Sequence, residues 1–173
     1  MGNNLKIVDV GDGLFRFRFK IRSQMEWVFD KGPWSFDNHL LVVRRREKGM
    51  TAQNITFPVV SLWVQVWGVP FELFNEEAVR DIGGGIGIVI VVDDKPFSLK
   101  QARFLRIRVE IPLTQPLRQD GPVVNLEGEC SWVLFKYERI VGLCFSCGRF
   151  GHEKKACPYQ SPSIVGEDSP NGE

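Results

Sequence analysis

The chain has 173 residues, of which 43% are hydrophobic and 25% charged, and a formal net charge of +1. That composition fits one domain with a sizeable core plus a small appendage, and it excludes a chain disordered throughout. The near-zero charge excludes a global basic field, so any affinity for a polyanion must come from local clusters.

Residues 5–10 alternate apolar and polar before Gly11-Asp12-Gly13, and 14–21 alternate again as LFRFRFKI, which predicts a β-hairpin. Phe15, Phe17 and Phe19 then share one face, and Arg16, Arg18 and Lys20 the other. Ser23 is the expected cap of a helix over 23–31 with Met25, Val28 and Phe29 at helical spacing, stopped by Gly32-Pro33. A strand over 39–45 follows, then a polar segment, 47–54. A second unit opens with an alternating strand, 62–67, that leaves through Gly68-Val69-Pro70. Asn75 is the expected cap of a helix over 76–82, ended by Gly83-Gly84-Gly85, and 86–92 reads as a buried strand. Residues 103–111 form another alternating strand, and 123–126 with 131–137 a final hairpin through Gly128. The order strand, strand, helix, strand near the amino terminus is the last two-thirds of an RNA-recognition-motif-like α/β sandwich. The fold class expected is therefore α+β, as two related α/β halves or one larger sheet, followed by a small finger.

That finger is the stretch CFSCGRFGHEKKAC, in which Cys144, Cys147, His152 and Cys157 stand in a C-x2-C-x4-H-x4-C array. Three thiolates and one imidazole within so short a span suit a tetrahedral structural Zn²⁺ and leave no open position for water, which argues against a hydrolase. Gly148 and Gly151 fall where the loop must turn tightly. The competing readings are a disulfide or free thiols for the cysteines, with the two phenylalanines only covering the ligands. In its ligands and both glycines the segment resembles the zinc knuckle of retroviral nucleocapsid proteins and their cellular relatives. That resemblance implies single-stranded nucleic acid as partner, with Phe145 and Phe150 as a platform for an unstacked base and Arg149, Lys154 and Lys155 meeting phosphates.

Other features have blander readings. Basic clusters at Arg16, Arg18, Lys20 and Arg22, at Arg44, Arg45, Arg46 and Lys48, and at Arg103, Arg106 and Arg108 read singly as solvated strand faces. The Phe15, Phe17 and Phe19 face is expected to be covered by the 23–31 helix, and Trp63 and Trp67 to serve core or sheet packing, not base stacking. Gly83–Gly87 follows a helix and precedes a strand, the reverse of a phosphate-binding loop. His39 has no nucleophile arrangement around it, and Asp93 and Asp94 are adjacent, so on a strand their carboxylates point apart. No catalytic constellation and no small-molecule substrate is expected. No apolar run nears the roughly 20 residues of a membrane span, and no secretory signal opens the chain. Cys130 is the one cysteine outside the array, in keeping with a reducing compartment; the expected setting is intracellular, nuclear or cytoplasmic.

Almost the whole chain, through KGPWSFDNHLLVV, LWVQVWGVPFELFNEEAVRDIGGGIG, RFLRIRVEIPLTQPLR and YERIVGLCFSCGRFGHEKKAC, resembles the plant domain of unknown function that precedes a zinc knuckle in LINE-type retroelement proteins. The resemblance implies a gag-like, retroelement-derived, non-catalytic protein. It also implies that the first α/β half lacks its opening strand and helix, which would expose edges and invite self-association. The expected domains are a partial α/β unit at 1–48, a second at 55–140, the CCHC knuckle at 141–158 and a disordered tail at 159–173. The function expected is zinc-dependent binding of single-stranded RNA or DNA; the alternative is an assembly module with a structural zinc clip.

Overall fold

The computed structural model describes residues 4–95 and 103–159. It is a mixed α+β structure built largely from antiparallel strands. The tail expected to be disordered lies, apart from Tyr159, outside the described residues.

Strands β1 (Leu5–Gly11) and β2 (Leu14–Phe19) pair as the expected hairpin, with Phe15, Phe17 and Phe19 half-buried and Arg16 and Arg18 exposed. Helix α1 (Arg22–Lys31) begins one residue before the expected cap. Ile21 holds the cap position with no side-chain bond, so Ser23 lies within the first turn and its cap role is corrected. The expected strand over 39–45 is shorter. Trp34–Phe36 (β3) and His39–Leu41 (β4) pair across Asp37 and Asn38, both at positive φ, 48° and 57°, and pairing ends at Leu41. Short polar residues tolerate that conformation, and a two-residue turn of this kind closes a hairpin.

The body is a five-stranded sheet in the order β6-β7-β5-β9-β8, made by β5 (Val59–Trp67), β6 (Ile88–Val92), β7 (Phe104–Pro112), β8 (Asp120–Val124) and β9 (Cys130–Tyr137). Helix α2 (Glu76–Gly84) joins β5 to β6, which β7 separates in the sheet, giving a split β-α-β unit. Asn75 caps α2 as expected, its side chain accepting from the Ala78 N–H at 2.9 Å. The helix runs past Ile82 to Gly84, and Gly85 follows in right-handed helical conformation, so these glycines are not there for positive φ. Gly83 is instead needed for contact: a Cβ there would strike Val89 and Ile107.

The core lies on one sheet face. Leu62, Val64 and Val66 of β5, Leu105, Ile107 and Val109 of β7, and Val133 of β9 are fully buried there with Val79 of α2. The opposite, outer face carries Trp63, Gln65 and Trp67 of β5 beside Arg108, Arg106 and Phe104 of β7. Trp63 and Trp67 therefore pack on the sheet, outside the core. In the third basic cluster Arg103 is exposed, but Arg106 and Arg108 are not solvated. Arg106 pairs with Asp93 at 3.1 Å and Glu138 at 2.9 Å, and its guanidinium lies 3.8 Å from the Trp63 ring centroid. Arg108 is buried and donates to the Phe29 and Asp30 carbonyls at the end of α1, while Arg139 donates to that of Lys31. Cations belong at that end of a helix dipole, and these three bonds tie α1 to the sheet.

The Arg106 guanidinium, together with Gln65, holds the Glu138 carboxyl below its ordinary value against the opposing effect of burial. At neutral pH the pair contributes in full. As pH falls through the carboxylate range the unfolded chain takes up the proton first, so the contribution is lost. Glu138→Gln should cost about 1–3 kcal/mol at neutral pH, measured by urea unfolding, and should flatten the fall in stability on acidification.

Candidate metal centre and nucleic-acid interface

After β9, the chain turns through Arg139 and Gly142 into a small hairpin, β10 (Leu143–Cys144) and β11 (Arg149–Phe150). Cys144 ends β10, and Cys147 lies in the hairpin loop. Gly148 and Gly151 both have positive φ, +72° and +91°, as the tight turns require. A 3-10 turn, Lys154–Ala156, then returns Cys157 to the same point. One ligand atom from each of Cys144, Cys147, His152 and Cys157 lies within 4.8 Å of the others. Sulfur ligands at about 2.3 Å from one Zn²⁺ define a tetrahedron with edges of roughly 3.8 Å, so this donor set fits the ion. Cys147 Sγ and His152 Nε2 are 3.2 Å apart, and Cys144 is fully buried. Burial pushes the Cys144 thiol up, but backbone N–H groups of Cys147 and Ser146 together with hydrogen bonds from the Cys147 and Cys157 side chains leave it below its ordinary value. The chemistry is that of a closed structural site: four protein ligands hold the loop together and leave no coordination position for a reacting water.

The finger is docked on the body. Leu117 N–H donates to the Gly148 carbonyl at 2.8 Å, and Arg149 Nη1 donates to the Thr114 carbonyl at 2.6 Å. A Cβ on Gly148 would sit 3.0 Å from the Leu117 oxygen. Leu143 and Phe150 pack against the core cluster, which also takes in Leu113 and Leu117.

Docking separates the two phenylalanines that resemblance groups as one platform. Phe150 is half-buried against the body, whereas Phe145 is 74% exposed at the tip. Lys154 and Lys155 are exposed on the 3-10 turn. Arg149 is half-buried, held to Thr114, and its guanidinium lies 4.8 Å from the Tyr159 ring centroid. Tyr159 is itself 59% exposed and 6.2 Å from the His152 ring. Sequence reasoning passed over Tyr159 because it follows the last ligand; its nearness to the metal, two residues after Cys157, was the available signal.

A finger held by three cysteines and one histidine in this order is a CCHC zinc knuckle. The family model described as zinc knuckle matches residues 111–159. That span begins at the end of β7 and takes in the loop on which the finger docks. The chain is also similar to the uncharacterized protein At4g02000 of Arabidopsis thaliana, at 29% identity over 133 residues, 77% of this chain and 42% of that protein. The chain thus spans less than half the length of this relative. No solved structure matches.

Gly148→Ala should strain the turn and press on Leu117. Zinc affinity, read by competition with a chromophoric chelator, should fall about tenfold or more, and the five-stranded sheet should keep its far-ultraviolet signature.

Proposed function

We propose that the protein is a non-catalytic, zinc-dependent binder of single-stranded RNA or DNA, of retroelement-derived, gag-like kind, whose knuckle is presented by an RNA-recognition-motif-like body. The observation that carries this reading is the pairing of a closed four-ligand cluster with an exposed aromatic tip, Phe145, on the same docked hairpin. An unstacked base laid on Phe145 is worth roughly 1–3 kcal/mol. Lys154, Lys155 and Tyr159 stand on the adjoining turn and strand end to meet phosphate and sugar or a second base. Zinc acts through folding: it orders the loop that carries Phe145 and takes no part in bond making. The split β-α-β unit supports the RNA-recognition-motif likeness, although it lies in the five-stranded sheet and not in the amino-terminal segment, where β1-β2 and β3-β4 form separate hairpins. Asp93 is engaged by Arg106, and His39 Nδ1 lies 2.6 Å from the Asp37 carbonyl.

The alternative, an assembly module with zinc as a clip, rests on the first hairpin, where Leu5, Ile7 and Val10 are exposed beside a free strand edge. No helix of the described residues is long and apolar enough to cross a membrane.

Fluorescence anisotropy of labelled oligouridylate tests the proposal. With zinc bound, Phe145→Ala should weaken binding about 5- to 100-fold, and chelation should abolish the same contribution. Phe150→Ala should act instead by loosening the finger, seen as lost zinc affinity. Affinity untouched by Phe145→Ala and by chelation would remove the knuckle from the interface, and oligomerisation indifferent to oligonucleotide would favour the assembly module.

A further inference from the structure

The first hairpin presents a row of cations that neither the core nor the knuckle uses. Arg16 and Arg18 of β2 and Lys20 just beyond it fall on one face, and Lys20 N–H donates to the Asn4 carbonyl at 2.9 Å, which carries the ladder past Phe19. Lys6 of β1 stands opposite Arg18 on the same face. All four side chains are exposed, and none makes an ion pair among the described residues. Nearby carboxylates are spent or turned away. Asp9 stands opposite Phe15, on the other side of the ribbon, and accepts from the Gly11 N–H at 2.9 Å, while Glu26 pairs with Arg22 at 2.8 Å. That other side carries the half-buried Phe15, Phe17 and Phe19, so packing of the rings turns the cations outward. The remaining basic clusters are largely used up within the fold: Arg44 is held by Glu47 and the Thr56 carbonyl, Arg45 lies over the Phe29 ring, and Arg106 and Arg108 brace the sheet and α1.

We infer that this face is a phosphate-tracking stripe. Successive phosphates of a single-stranded nucleic acid run along Arg16, Arg18 and Lys20, and Lys6 meets the middle one from the neighbouring strand. The contact rests on the reading of the protein as a nucleic-acid binder, and it adds other residues that act through charge, without base stacking and without zinc.

Three observations favour a nucleic-acid backbone. Side chains two apart on an antiparallel strand repeat about every 7 Å, comparable with the step between neighbouring phosphates of an extended strand, so each cation can meet one phosphate. Two of the four cations are arginines, whose planar fork fits a pair of phosphate oxygens. A lipid surface would call for apolar side chains projecting beside the cations, whereas here the rings point the other way and Val8, opposite Arg16, is half-buried. The ribbon is also braced against the base of the finger. Phe15 meets Phe36 of β3 edge to face with centroids 6.3 Å apart, and a Cβ on Gly142, at the entry to the finger, would lie 3.5 Å from the Asn38 carbonyl oxygen in the turn after β3. Both contacts thus stand on one scaffold, where linked weak contacts add affinity.

The test uses the zinc-loaded full chain and fluorescein-labelled oligouridylate, with affinity read by anisotropy across a salt series. Each phosphate neutralised on a single strand contributes roughly 0.7 to the slope of log affinity against log salt. Arg16→Gln/Arg18→Gln/Lys20→Gln should therefore lower the magnitude of that slope by about 2, with zinc content and circular dichroism unchanged because these side chains are exposed. Arg16→Lys/Arg18→Lys should keep the slope, and Arg46→Gln/Lys48→Gln, which removes charge from another surface, should leave it as it was. Phe145→Ala should lower affinity and not the slope, so the two readings fail separately: an inert Phe145→Ala sinks the knuckle contact, whereas an unchanged slope in the triple variant overturns the stripe. An equal loss of slope per charge in Arg46→Gln/Lys48→Gln would overturn it too, as an effect of net charge alone. Binding to phosphatidylserine vesicles that the triple substitution abolishes, with the oligouridylate slope unmoved, would assign the face to a lipid surface instead.

Discussion

Everything in the body depends on the two-residue period of β5 and β7. Their register sets Leu62, Val64 and Val66 against Val109, Ile107 and Leu105 on one face, and Trp63, Gln65 and Trp67 against Arg108, Arg106 and Phe104 on the other. A slip of one residue would bury the arginines and expose the aliphatic row, so burial of one face specifies the whole arrangement. The same register brings Arg106 between Asp93 and Glu138 and lets Arg108 reach the end of α1. One constraint thus produces the core, the polar bracing of the outer face and the attachment of the amino-terminal helix.

The knuckle belongs to this body and is not a free appendage. Its backbone meets the 113–118 segment at Gly148 and Thr114, and Phe150 and Leu143 extend the core cluster. Zinc orders the loop from within while the body fixes its direction from without. That division gives the two aromatic residues different work: Phe150 anchors, and Phe145 is left at the tip. The match of the zinc-knuckle family to residues from 111 onward agrees with a unit that includes its docking surface.

Features set by near neighbours were legible in the amino-acid sequence. The four metal ligands, the positive-φ glycines Gly148 and Gly151, the Asn75 cap and the alternating strands all rest on spacings of a few residues. What escaped is set by distant parts of the chain. Arg106 and Arg108 looked solvated until Glu138 and the α1 carbonyls were placed beside them, residues far away in sequence. Phe145 and Phe150 are alike in composition and differ only because the body covers one of them. Gly83 looked like a helix stop, yet it serves close packing against Val89 and Ile107, which no local pattern encodes. Ser23 had the right chemistry for a cap, but the helix started before it.

The most direct measurement of the central claim is an amide chemical-shift map of the zinc-loaded protein during titration with oligouridylate. Binding through the docked knuckle predicts shifts at Phe145, Ser146, Lys154, Lys155 and Tyr159 that disappear on chelation, while Phe150 and Leu117 move little. Saturable binding that leaves the knuckle resonances unmoved, or that persists there after zinc is removed, would contradict it.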